Sequence, residues 1–341
     1  MSKLLSRKVL VPAAVVIVVF VILWLLPIPG VVVPEISIPA EEVIHPFGIP
    51  ITNTLLATWL TMILLVGGSW LITRKMSSVP GRWQSALEML IEGMYNLVEG
   101  AAERKWARRF FPIVMTIFIF LLVSNWLGLT PLYGGWGILE PAAEGEHGQA
   151  VNWLNDSKTV GLWVEPDEGH EATTTESHGE EGESYKLAPM FRSAATDMNT
   201  TLALAIVSVV LTQVFGVWAL GAPYFGKFVA LGGVVKAFTK PGIGCGGRIG
   251  AFFMGLIDIF VGFVETISEF AKIISFSFRL FGNIFAGEVL LGVIGSLIAY
   301  LVSLPFYGLE LFVGFVQALV FMMLTVAFFV TAMSQHSEEE H

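Results

Sequence analysis

Ile-Ser-Phe-Ser-Phe-Arg-Leu-Phe-Gly-Asn-Ile-Phe-Ala-Gly-Glu-Val-Leu-Leu, residues 274–291, puts a permanent cation, Arg279, in the middle of a run otherwise apolar enough to lie inside a membrane. A guanidinium cannot shed its proton, and at the centre of a membrane helix it costs roughly 2.5–3.5 kcal/mol on insertion scales. It therefore needs a polar partner or a water-filled path, and such a group marks a functional site. No acid stands three or four residues to either side of Arg279. Its own helix supplies no partner at the spacing that brings side chains together, so the partner belongs to another helix or another protein.

The run is part of a longer one. From Arg248 to Thr331 the chain is almost continuously apolar, interrupted near Pro305. Up to Tyr300 this would make a helix of roughly 75 Å at about 1.5 Å per residue, more than twice a hydrocarbon core of ~30 Å. Such a helix must be bent, steeply tilted or split into a hairpin. Hydrophobic residues form 55% of the chain and charged residues 14%, whereas a soluble domain is about a quarter charged. The fold class expected is an all-α polytopic membrane protein. The single Cys245, expected in a Gly-rich loop beside Arg248, excludes an intramolecular disulfide and a Cys-based metal cluster. The net charge of -9 is less informative than where the charges fall.

Val9 to Leu26 is apolar and follows Lys3, Arg7 and Lys8. It fits a signal peptide or an anchor, but Leu-Pro-Ile-Pro-Gly follows in place of a small-x-small cleavage site, and about 18 apolar residues suffice to span. A retained helix is expected. Further spans are Thr54 to Thr73, Phe110 to Leu129 and Asp197 to Gly221, and the C-terminal apolar region brings the crossings to about six. Residues 81–105 carry Trp83, Leu87, Leu90, Ile91, Met94, Leu97 and Val98 at helical spacing with Glu88, Glu92, Glu99 and Glu103 between them. This pattern predicts an amphipathic helix along the membrane surface. The organisation expected is thus residues 1–52, an extra membrane helix and linker; 53–130, membrane helices with the surface helix; 131–195, an acidic loop; and 196–335, ion-translocating helices. The loop holds twelve acidic residues against Lys158, Lys186 and Arg192, and its central stretch 165–184 is too polar to offset the entropy of ordering. His147, His170 and His178 within it match no metal-binding spacing.

Basic residues concentrate at the N-terminus and in the 74–109 and 221–250 connections, whereas 27–52 and 131–195 are poor in them. The positive-inside rule makes the first group cytoplasmic and the second exterior, and six crossings put both termini inside.

Asp258, Glu265, Lys272 and Arg279 are seven residues apart, a step that drifts only about 20° around a helix, so they share one face. Glu269, Phe276 and Asn283 form the neighbouring row. A purely structural role, Glu265 or Glu269 paired with Lys272, is at least as good a reading for Asp258, Glu269 and Lys272 as a direct one. It does not account for Arg279. Gly282, Ala286 and Gly287 offer small surfaces for close helix approach. Glu310 and Gln317 lie seven apart on the last apolar helix.

Arg-Leu-Phe-Gly-Asn followed by Ala-Gly-Glu, with Asn283 four and Glu288 nine residues after the Arg, resembles the a-subunit family of F-type ATP synthases. The resemblance covers about residues 45–335. It implies the stator of a rotary ion motor, with Arg279, Asn283, Glu288, Glu310, Gln317 and Glu265 as the proton-translocating residues. Gln317 would neighbour the Arg, Glu288 and Glu310 would line an exterior half-channel, and Glu265 would line the cytoplasmic one. The segments around Asn125 and Asp197-Met-Asn199 also resemble the family, and these three residues could line the exterior entrance; helix capping by Asp197 or Asn199 accounts for them about equally well. Relatives often pair Glu with His where this chain has Glu288 and Glu310. The family usually has five crossings and an exterior N-terminus, so residues before about 30 and the acidic loop are departures. The implied partners are the rotor ring of c subunits, the peripheral-stalk b subunits, the rest of the synthase and the lipid bilayer, in the inner (plasma) membrane of a bacterium. No nucleic acid, cofactor or metal is implied, and nucleotide chemistry would belong to other subunits, because no Gly-x-x-x-x-Gly-Lys-Ser/Thr loop occurs. A secondary transporter with a buried Arg-Glu site is the rival, but it predicts an internal repeat that the sequence lacks. A non-transporting scaffold, with buried charges as interhelical glue, would tolerate Arg279→Lys.

Overall fold

The computed structural model describes residues 40–44, 50–74, 76, 81–130, 133, 137–141, 149–150, 184–228, 245–297 and 303–334. The expected first span, the centre of the acidic loop and the three loop histidines lie outside these residues.

Six α-helices form the described body: α1 (Asn53–Thr73), α2 (Arg82–Ala101), α3 (Arg104–Gly128), α4 (Met198–Leu220), α5 (Cys245–Leu297) and α6 (Ser303–Ser334). Of these, α1, α3, α4 and α6 are long and apolar enough to cross a membrane. Their burial runs opposite to that of a soluble helix. In α1 the inward stripe is Asn53, Thr54, Ala57 and Thr61, while Trp59, Ile63, Val66, Trp70 and Leu71 face outward. Large apolar groups turned away from the protein require an apolar solvent, and backbone groups paired within each helix permit one.

Small and hydroxyl residues let the helices approach. The buried side of α4 is Thr201, Ala205, Ser208, Val209, Thr212, Phe215 and Gly216. Thr201 bonds Ser277 on α5 at 3.1 Å, and Ser208 bonds Thr325 on α6 at 2.9 Å. Around these polar links lies an aromatic core. Phe110 of α3, Phe215 of α4 and Phe329 of α6 meet with ring centroids 4.8–5.0 Å apart, and Phe276 of α5 meets Phe321 of α6 at 4.8 Å. The most extensive contacts are α3 with α6 and α4 with both α5 and α6.

α5 is one unbroken helix of 53 residues, about 80 Å at 1.5 Å per residue. Of the alternatives for this segment, the hairpin is excluded. Cys245 is its first residue and not part of a loop. The surface helix ends at Ala101, short of the expected 105, because Ala102 leaves the helical conformation and Arg104 opens α3. Arg104, Lys105, Arg108 and Arg109 therefore belong to the first turns of α3. There the Arg109 guanidinium lies over the rings of Trp106 and Trp218, 5.1 and 4.4 Å from their centroids. Met94 and Val98 of α2 are buried in the core.

The helices are not quite the whole story. Residues 42–44 (β1) pair with 51–52 (β2), and β3 (Gly137–Pro141), β4 (Gln149–Ala150) and β5 (Ser184–Pro189) make an antiparallel sheet in the order β3-β5-β4. The rims of the 131–195 segment are thus ordered. Gly137 pairs with Pro189 and Pro141 with Tyr185, and Asn53 at the head of α1 donates to the Pro189 carbonyl at 3.2 Å.

Candidate functional site

The middle of α5 has two sides. Phe276, Ser277, Leu280 and Ile284 are buried against α4 and α6, whereas Ser268, Ala271, Ser275, Arg279, Gly282 and Ala286 are exposed. At 100° per residue these six fall within one narrow strip. It is a smooth track of small side chains interrupted by one cation. Among the described residues no hydrogen bond or ion pair reaches Arg279.

Asn283, one turn on, donates to Gln317 Oε1 at 2.7 Å. Gln317 is 4% exposed and its Nε2 has no partner, so α6 presents an orphaned amide donor beside the Arg279 track. The two residues that the sequence puts on different helices are therefore brought together.

Beyond Asn283, toward the β3-β5-β4 end, Glu288 is held by Arg192 at 3.2 Å. Glu310 of α6 is 7% exposed, and its carboxylate fills the space where a Cβ on Gly287 would stand. Gly287 is glycine because that carboxylate lies against its backbone. Asn125 is buried and donates to the Gly314 carbonyl at 3.3 Å, with its Oδ1 unpaired; it ties α3 to α6. Asp197 caps α4 by accepting from Asn199 N at 2.9 Å and also accepts from Thr54 Oγ1 of α1 at 3.1 Å. The capping reading holds for Asp197. Asn199 is exposed, outside this cluster.

At the opposite end of the α5 track one of the two expected pairings forms, and Glu265 takes a partner from outside α5. Glu269 does meet Lys272, at 2.8 Å, but Glu265 meets Lys227, at 2.6 Å, and Lys227 also reaches Glu269, at 3.1 Å. Glu265 and Lys272 are two turns apart on one face, farther than their side chains need to reach once Lys227 is available. The 3-10 turn Ala222–Lys227 delivers that lysine. It follows Gly221, whose φ of 71° only glycine adopts freely, and the Phe228 carbonyl then lies 2.6 Å from where a Cβ on Gly262 would be. Within the turn, the Tyr224 hydroxyl donates to Gln213 at 2.6 Å. Burial opposes the charge on Lys227, but its hydrogen bonds to Glu265 and Glu269 outweigh that and hold the ammonium above the ordinary lysine range. Asp258 is half-buried on the same face. Among the described residues no three His, Cys, Asp or Glu side chains cluster as metal ligands.

Arg192 and Lys227 are the two residues that sequence reasoning used only for counting charge. Each stands beside an end of α4, within a few residues of Asp197 or Gly221, and that proximity was the available signal.

Residues 55–330 match the ATP synthase A chain family. The ATP synthase subunit a of Moorella thermoacetica is 27% identical over 295 residues, 86% of this chain and 97% of the relative. That of Mycobacterium bovis is 28% identical over 295 residues, 85% and 89% respectively. That of Gloeobacter violaceus is 27% identical over 286 residues, 84% and 85%.

Proposed function

We propose, from the premise that the chain belongs to the ATP synthase A chain family, that Arg279 is the charge past which the rotor carboxylates of an F-type ATP synthase move. The chain is a multi-pass membrane subunit of that synthase, serving proton-driven ATP synthesis. The observation that carries the assignment of Arg279 is the open strip on α5, with small residues above and below one cation that no described residue neutralises. A strip of this kind suits a partner that slides past, because small side chains give a close but smooth contact. The rotor ring of c subunits is that partner, and the peripheral-stalk b subunits hold the chain against its torque.

In this reading Glu288 and Glu310 line an exterior half-channel that brings a proton to mid-membrane, where it neutralises a rotor carboxylate. Asn125 and Asp197 frame this channel by fixing α3 on α6 and α4 on α1. Asn199 lies at its outer mouth. The neutral rotor site turns into lipid, and after nearly a full circuit it releases its proton to the cytoplasmic half-channel, lined by Glu265 and its cluster with Glu269, Lys227 and Lys272. Arg279 keeps the carboxylate ionised as it passes between the half-channels and repels protons that would leak directly. Asn283 and Gln317, bonded to each other one turn from Arg279, offer polar groups to a carboxylate that approaches the guanidinium. Each charge crossing at 100 mV supplies about 2.3 kcal/mol, so several must pass per ATP. The membrane is the bacterial plasma membrane, with the Lys227 end of the bundle and both termini cytoplasmic.

The test is Arg279→Ala and Arg279→Lys in the assembled synthase, assayed for ATP synthesis in membrane vesicles. Both variants should assemble. The first should lose coupled synthesis and the second should be severely impaired, since a compact ammonium does not reproduce the planar fork. Near-normal synthesis by Arg279→Ala would overturn the reading.

A further inference from the structure

The two exterior acids are not equivalent, and the difference comes from Arg192. This residue lies three positions after β5, and its side chain is 5% exposed. Its Nε donates to Glu288 Oε1 at 3.2 Å and Oε2 at 3.4 Å, and its Nη2 donates to Oε2 at 3.3 Å. The guanidinium also lies 5.9 Å from the ring centroid of Phe285, one turn before Glu288 on α5. A two-nitrogen fork on one carboxylate, with the cation itself removed from water, is a charge-assisted contact that fixes where the carboxylate stands. Glu310 has the opposite setting. It is more buried than Glu288, it lies against the Gly287 backbone, and no hydrogen bond or cation reaches it among the described residues.

We infer that Arg192 is a positioning residue that clamps the Glu288 carboxylate at the channel wall, leaving Glu310, which no described cation reaches, as the acid of this half-channel that loads and unloads the proton. The Arg192–Glu288 pair is then a fixed dipole at the channel wall. Its outer member comes from the last residues of the acidic segment, so the end of that segment supplies part of the proton path. A proton entering from outside binds the Glu310 carboxylate and leaves it for the rotor carboxylate. The charged groups brought to this point by the described residues are Arg192 from the segment before α4, Glu288 from α5 and Glu310 from α6. Asp197, five residues after Arg192, is spent on Thr54 and the α4 cap.

The inference rests on the half-channel reading above, and one variant set separates the two. ATP-driven proton pumping is measured in inverted vesicles carrying the whole synthase, with the amount of assembled complex determined for each variant. Arg192→Gln removes the fork that holds the half-exposed Glu288 carboxylate in place, and pumping should fall about tenfold, since a charge-assisted contact is lost. Arg192→Lys should recover part of the rate. The double variant Arg192→Gln/Glu288→Gln removes the stranded charge and should pump several-fold better than Arg192→Gln alone, whereas Glu310→Gln should not pump. An Arg192→Gln variant with an unchanged rate overturns the clamp. A double variant no better than Arg192→Gln also overturns it, and if Glu310→Gln is inactive in the same set, the half-channel reading still stands. A Glu310→Gln variant that pumps normally overturns the half-channel reading itself.

Discussion

At the scale of single residues, this chain's chemistry depends on which charges are paired and which are left open. Lys227 is the clearest paired case, because one ammonium reaches both Glu265 and Glu269. Replacing it with Ala leaves two acids close together with only Lys272 between them. Breaking such a hydrogen-bonded cluster should cost about 1–3 kcal/mol of subunit stability and slow proton release on the Lys227 side, measurable as reduced synthesis at normal complex levels. Lys227 has a raised pKa, so its contribution is fully present below the unfolded lysine value of about 10.4 and is lost only as pH rises through the higher folded value. Between about pH 7 and 9 the wild-type cluster should therefore show no titration of this lysine, and a pH-dependent loss of subunit stability in that window, absent from Lys227→Ala, would contradict the pairing. Gly287 makes the complementary prediction. A Cβ there collides with the Glu310 carboxylate, so Gly287→Ala should push that acid off its position and impair pumping, while Gly282→Ala, which meets nothing within 4 Å inside the subunit, should be harmful only where the rotor passes. Equal, negligible effects of both would mean that Glu310 is not needed where it stands.

At the scale of elements, the helices hold together through hydroxyl pairs embedded in aromatic packing. Thr201–Ser277 and Ser208–Thr325 replace the hydrophobic drive that lipid cannot supply, and each such link contributes on average about 0.6 kcal/mol. A double-mutant cycle of Thr201→Val and Ser277→Ala, read by thermal inactivation of the detergent-solubilised complex, should give a coupling of that order; strict additivity would mean that the bond adds nothing. Much at this scale was legible in the sequence. Spans appear as apolar runs because every lipid-facing position must be apolar, and α1, α3, α4 and α6 lie where those runs stand. Arg279, Asn283 and Gln317 were legible because a polar group on an apolar helix is costly and therefore conspicuous. Arg192 and Lys227 were not, since a cation in a polar connection costs nothing to read as solvated, and only the fold brings it onto Glu288 or Glu265. The sheet was hidden for a similar reason. β3 and β5 are five and six residues long and separated by more than forty, so their pairing leaves no local period to detect.

At the scale of the whole molecule, the strands at the rims of the acidic segment and the stretch between them can be tested separately. β5 runs to Pro189, whose carbonyl accepts from Asn53 on α1, and three residues later Arg192 is held against Glu288. Because Pro141 and Tyr185 are paired across β3 and β5, the chain between them can be shortened without moving either strand. Replacing residues 142–183 with a Gly/Ser turn of about four residues, a common hairpin length, removes only the two-residue strand β4 from the described structure. That variant should assemble and synthesise ATP at close to the normal rate. Replacing 137–189 with a linker of the same kind removes the whole ladder and the Asn53 bond, loosens the segment carrying Arg192, and should reduce pumping toward the level of Arg192→Gln. The comparison is made on vesicles with matched amounts of complex. If the short replacement already abolishes synthesis, the central acidic stretch has a role in coupling; if the long one leaves pumping intact, Arg192 does not depend on β5 for its position.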